Sequence, residues 1–122
     1  MIAYTTIGVS DIESAKTFYL SLLEDLGVSV FMDTGRLAAL GTPNGGPMLA
    51  VCTPYNGEAP DPGNGNMVAI PPGSPELVDK LHARALELGA SDEGAPGKRM
   101  DGFYGGYIRD HDGNKICFCH FG

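Results

Sequence analysis

Apolar residues fall at helical spacing in two stretches of the chain and at strand spacing around them. In the first stretch, Ile12, Ala15, Phe18, Tyr19, Leu22, Leu23 and Leu26 recur every three or four positions, which predicts an amphipathic helix. Ser10 followed by Glu13 reads as a capping box at its start, and Gly27 suits a left-handed close. In the second stretch Leu77, Val78, Leu81, Ala85 and Leu88 form the stripe. Ser74 is the expected N-cap there, Pro75 lies in the first turn, and Gly89 closes the helix. His82 falls beside this stripe and is expected at the surface.

Strand signals flank both helices. Ile7-Gly8-Val9 leads into the first, and residues 28–32, 37–40 and 48–52 follow it, with Asp33-Thr34-Gly35 as a hairpin turn. Residues 67–70 precede the second helix. A weak segment near Ala90, then 103–109 and 115–120, follow it, with Asp110 to Asn114 turning the last pair. Residues 94–102 read as a glycine-rich loop carrying Lys98 and Arg99. Each half thus reads strand, helix, three strands. Gly27 and Gly89 are 62 positions apart and Ser10 and Ser74 are 64 apart, close to half of 122 residues, as a tandem duplication requires. The expectation is one α+β domain over 1–122, made of two βαβββ halves at about 1–54 and 66–122. The Pro-, Gly- and Asn-rich stretch 55–65 is the linker.

Strand alternation assigns faces. If Ile7 and Val9 face the first helix, Tyr4, Thr6 and Gly8 point away from it. If Val68, Ile70, Ile116 and Phe118 face the second, then Met67, Ala69, Cys117 and Cys119 point away. Two sheets with a helix on one face each and curving together would enclose a cup. Its expected lining is Tyr4, Thr6, Ala50, Cys52, Met67, Tyr107, Arg109, Cys117 and Cys119.

Composition narrows the function classes. Hydrophobic residues at 43% and charged residues at 19% describe an ordinary globular chain. A formal charge of -7 argues against nucleic acid or an anionic membrane as partner, since both demand clustered Lys and Arg. It is compatible with a neutral or cationic small ligand. No apolar run approaches the ~20 residues that cross a bilayer. Met1 to Thr6 carries no basic region or cleavable apolar segment, so a cytoplasmic location is expected. Three cysteines, Cys52, Cys117 and Cys119, without a C-x-x-C, argue against a disulfide scaffold.

Two motifs add a family resemblance. The run from Tyr4 to Tyr19, strand then Val-Ser-Asp, helix and Phe-Tyr, resembles the opening of glyoxalase, bleomycin-resistance and extradiol dioxygenase proteins, the vicinal oxygen chelate superfamily. Asp110-His111-Asp112-Gly113-Asn114 resembles that family's closing turn, and Gly102 to Tyr107 resembles an uncharacterised branch of it. The resemblance covers nearly the whole chain. It implies paired βαβββ modules forming a curved mixed sheet around a ligand cavity, commonly in a homodimer. In metal-using members His or Glu from four strands binds a divalent ion. By the resemblance those positions fall here at Tyr4, Met67, Cys117, and Ala50 or Cys52, none of which is His, Asp or Glu. No metal and no cofactor is therefore expected.

The remaining chemical readings are each weighed against a bland one. Cys52, Met67 and Cys117 could form a sulfur-rich set for a thiophilic ion, but apolar lining is preferred. Cys117 or Cys119 could be a nucleophile with Arg109 as positive neighbour, against an inert buried thiol. Tyr4, Tyr104 and Tyr107 suit ligand orientation better than catalysis. Arg109, Lys98 and Arg99 could hold an anionic group of a ligand, but Lys98 and Arg99 read as a solvated pair in their loop. The expected function is metal-free binding of an unknown small organic molecule. The alternatives are a metal-dependent lyase, isomerase or dioxygenase, and a dimeric interaction module.

Overall fold

The first helix starts where a carboxylate, not a hydroxyl, takes up its free backbone donors. In the computed structural model, which describes residues 1–122 throughout, Asp11 is the N-cap of α1 (Ile12–Leu22), its side chain accepting from the Ser14 N–H at 3.1 Å. The expected Ser10–Glu13 box is therefore shifted by one residue. Asp11 stands nearer the first turn, and Glu13 instead pairs with Lys16 at 2.9 Å. The helix ends at Leu22. A 3-10 turn (Glu24–Leu26) carries the chain on to Gly27, whose φ of 73° provides the left-handed exit. The second helix, α2 (Pro75–Glu87), begins as expected, with the Ser74 hydroxyl accepting from the Leu77 N–H at 3.2 Å.

The chain divides into two units, Met1–Asp61 and Pro62–Gly122. The first holds β1 (Tyr4–Gly8), α1, β2 (Ser29–Asp33), β3 (Leu37–Gly41) and β4 (Met48–Cys52). Its sheet runs in the order β1-β4-β3-β2, with β1 parallel to β4 and the other pairs antiparallel. The helix packs on β3 and β4. Ala15, Phe18, Tyr19 and Leu22 of α1 are buried together with Ile7, Ala38, Leu40, Leu49 and Val51 of the sheet. These strand residues occupy alternate positions, so the sheet turns one apolar row to its helix.

The second unit repeats the plan with β5 (Val68–Ile70), α2, β6 (Ser91–Met100), β7 (Phe103–Arg109) and β8 (Lys115–Phe121). The order is β5-β8-β7-β6, with β5 parallel to β8. Val78, Leu81 and Ala85 of α2 are buried with Ile108, Ile116 and Phe118. Two expectations are overturned here. His82 is not at the surface: it is 5% exposed, and its Nε2 lies 3.1 Å from the Asp92 carboxylate of β6. Its imidazole sits where Gly106 leaves room, 3.3 Å from the place a Cβ at that position would occupy. The weak segment near Ala90 and most of the loop at 94–102 form a single ten-residue strand, β6. Its pairing with β7 is interrupted by three register shifts, between Asp92 and Gly94, Gly94 and Gly97, and Lys98 and Met100. The ladder to β7 holds as an extended edge a segment whose Gly, Pro and charged residues do not favour a strand by themselves.

No helix is long and apolar enough to cross a membrane.

Candidate functional site

The strand registers sort the candidate residues by face. In the first unit Tyr4 pairs with Met48, Thr6 with Ala50, which in turn pairs with Ala39, and Gly8 with Cys52, which pairs with Leu37. Tyr4, Thr6, Ala50 and Cys52 therefore share the face turned away from the α1-packed row, as alternation requires. Tyr4 and Thr6 are exposed, Cys52 is half-buried and Ala50 is fully buried. The segment after β4 returns over the end of this face. Pro60 Cβ lies 3.1 Å from where a Cβ on Gly8 would stand, a tight contact that the glycine relieves.

In the second unit Ala69 pairs with Cys117, Cys117 with Tyr107, and Tyr107 with Gly94. Gly105 pairs with Cys119 and Arg109 with Lys115. These rows lie on the face away from α2. The opposite face is fixed by Tyr104, whose hydroxyl donates to Asp79 of α2 at 2.6 Å, and by His82 against Gly106. Tyr107, Arg109, Cys117 and Cys119 are thus brought to one face. Met67 precedes β5 rather than belonging to it, and is 45% exposed.

Three side chains on this second face have specific partners. The Arg109 Nε donates to Glu93 at 2.5 Å and its NH1 to the Gly113 carbonyl at 2.8 Å, so its guanidinium ties β7 to β6 and to the closing turn. Tyr107 carries two cations on its ring. The Arg99 guanidinium carbon is 5.2 Å from the centroid, and the Lys115 Nζ is 5.3 Å from it. Arg99 also donates to the Ala95 carbonyl. Arg99 is exposed, in keeping with a solvated side chain, but its guanidinium is held over the Tyr107 ring, while Lys98 pairs with Asp101 at 3.1 Å. Gly94 makes the space, because a Cβ there would meet Tyr107 Cδ2 at 3.1 Å and an Arg99 nitrogen at 3.3 Å.

The thiols are free, and the two on β8 are buried. Burial pushes the Cys117 thiol up to about 11, with Cys119 adding to the rise, against the lowering influence of the Tyr107 hydroxyl and the Arg99 charge. Burial likewise raises Cys119. The positive neighbour of Cys117 is therefore Arg99, where Arg109 was expected. A thiol held neutral in this way is a poor nucleophile and a poor metal ligand at neutral pH. No three His, Cys, Asp or Glu side chains gather where they could hold a metal ion. Sequence reasoning set Arg99 aside and passed over Lys115. Lys115 was legible from its place two residues before Cys117, on the same face; Arg99 was not, because its segment reads as a loop, where alternation assigns no face.

Comparison with known proteins bears on this arrangement. Residues 1–118 match the model of the Glyoxalase/Bleomycin resistance protein/Dioxygenase superfamily. The chain belongs to that superfamily. Among solved structures, a glyoxalase/bleomycin resistance protein from Albidiferax ferrireducens T118 is 35% identical with a TM-score of 0.90, over 100% of this chain and 99% of that one. A glyoxalase-related enzyme from Fulvimarina pelagi is 20% identical with a TM-score of 0.77, over 98% of this chain and 86% of the other. A glyoxalase/bleomycin resistance protein/dioxygenase family enzyme from Burkholderia phytofirmans PsJN is also 20% identical at a TM-score of 0.77, over 96% and 95%. The last two show the shared fold alone. No match is found among curated proteins. The glyoxalase/bleomycin-resistance fold expected from the sequence is thus the fold of this chain, an α+β arrangement of two βαβββ modules.

Proposed function

We propose that this superfamily member binds a small organic molecule on the helix-free faces of its sheets and does so without a metal ion. The observation that carries the reading is the register of the second sheet, which sets Tyr107 directly beside Cys117 on the face its helix leaves open. Such a face offers an aromatic ring with flanking cations over a buried, neutral thiol, which suits contact and hydrogen bonding with a ligand rather than ion coordination. Tyr4 and Thr6 offer the same kind of surface in the first unit. The three free thiols support a reducing, cytoplasmic setting.

The reading includes a homodimer. Its support is β2, an edge strand on which Val30, Phe31 and Met32 are 41%, 72% and 48% exposed, an apolar edge of the kind that a second chain covers.

Metal analysis of freshly purified protein together with a thermal-shift panel of small metabolites and drugs tests the proposal. The expected outcome is a substoichiometric metal content and a melting temperature raised by at least one class of compound. A stoichiometric divalent ion would overturn the metal-free reading in favour of a lyase, isomerase or dioxygenase. A panel without a single stabilising compound would remove the binding role.

A further inference from the structure

We infer that the open face of the second sheet is an anion site, in which Arg99 and Lys115 hold the carboxylate or phosphate oxygens of a ligand beside the Tyr107 ring. The inference rests on the small-molecule reading above and specifies the charge of the molecule that face accepts. It runs against the chain's net charge of -7, which taken alone favours a neutral or cationic ligand. Binding responds to the field at the face, however, and that field is set by a few groups.

Three other cations of this protein are paired with carboxylates. Lys16 pairs with Asp33 and Glu13, Lys98 with Asp101, and Arg109 with Glu93. Arg99 and Lys115 have no carboxylate at ion-pair distance, yet both converge on one aromatic ring from two different strands, at 5.2 and 5.3 Å. Gathering two positive charges on one ring is unfavourable unless something negative joins them. The ring offers some of that compensation through its face, and an anion offers the rest. The arrangement is also built rather than incidental. Gly94 leaves out the Cβ that would crowd Arg99 and Tyr107, and the Ala95 carbonyl fixes one end of the guanidinium. The remaining guanidinium N–H groups and the ammonium, reaching the ring from the strands on either side of it, are donors for an anion beside the ring. A carboxylate on an unsaturated or aromatic body supplies oxygens for these donors and a flat surface for the ring.

The test uses the whole chain and three probes: benzoate, benzamide as its neutral counterpart, and inorganic phosphate. Affinity is read by titration while following the NMR signals of Tyr107 and Lys115. Benzoate is expected to bind and benzamide to bind at least about tenfold more weakly, the loss of one charged hydrogen-bonding group. Raising the salt concentration should weaken benzoate binding. Arg99→Gln and Lys115→Gln should each cost about tenfold, whereas Lys98→Gln on the same strand as Arg99 should change nothing. If either variant fails to fold, the other variant and the benzoate–benzamide ratio still decide. Phosphate binding as tightly as benzoate assigns the site to phosphate oxygens, and selective benzoate binding assigns it to carboxylates. Equal binding of benzoate and benzamide, or full benzoate binding in both variants, overturns the anion site. A thermal-shift response to neutral or cationic compounds with no response to either anion would leave the small-molecule reading standing and defeat this one alone.

Discussion

At Cys117 two influences oppose each other. The low-polarity surroundings of β8 favour the neutral thiol, while the Tyr107 hydroxyl and the Arg99 charge favour the thiolate; burial wins and the pKa rises from 9.0 to about 11. In the unfolded chain the thiol ionises near its ordinary value, so between about pH 9 and 11 the unfolded state carries fewer protons than the folded one. Stability from this group is intact below pH 9 and is lost as pH climbs towards 11. The denaturation midpoint should therefore fall over that range, and Cys117→Ala should flatten some of the fall. An identical alkaline slope in the variant would contradict the assignment. In native protein at pH 8, iodoacetamide followed by peptide mass mapping should modify Cys52, half-buried, well before the two buried thiols. Which thiols share a face was readable from alternation alone, since Ile116 and Phe118 had to meet the helix. That Arg99, and not Arg109, lies near Cys117 was not readable. It depends on residues 91–100 being a strand paired with β7, which their loop-like sequence does not announce.

At the scale of the element, the helices were the most legible and β6 the least. Periodicity identified α1 and α2 because each has one apolar stripe. It misplaced the first cap, where Ser10 and Asp11 compete and the carboxylate takes the Ser14 N–H, and it ran α1 on to Leu26, where the helix stops at Leu22 and a 3-10 turn follows. Asp11→Ala should cost about 1 kcal/mol in urea denaturation and Ser10→Ala distinctly less. The reverse order would restore the serine cap. Strand β6 has no β-branched or aromatic residue, contains Pro96 and two glycines, and carries charges near both ends, so its sequence resembles a loop. The strand form comes from tertiary pairing with β7 and from the His82–Asp92 contact with α2. His82 was misjudged for a related reason. A polar residue beside an apolar stripe reads as exposed until a carboxylate from a distant strand is known to receive it.

Two properties belong to the whole molecule. The apolar edge of β2 predicts a concentration-dependent dimer by analytical ultracentrifugation, and Phe31→Asp should shift it towards monomer. An unchanged mass would place the dimer contact elsewhere. Treatment with a chelator should leave the melting temperature unchanged, since no three ligating side chains gather at one point. The tandem plan was evident from spacing, whereas the ligand was not, because a face defined by Tyr, Cys and Ala leaves many molecules equally acceptable. The parallel pairing of β1 with β4, and of β5 with β8, has a kinetic consequence. In each unit the first strand is joined to the last, Tyr4 meeting Met48 and Val68 meeting Ile116. Such contacts close long loops, so they slow the search for the native state. During synthesis the first strand must wait, unpaired, until β4 has emerged from the ribosome. Each sheet is thus completed late and all at once, and the interval before closure is when the nascent chain is most open to aggregation and proteolysis.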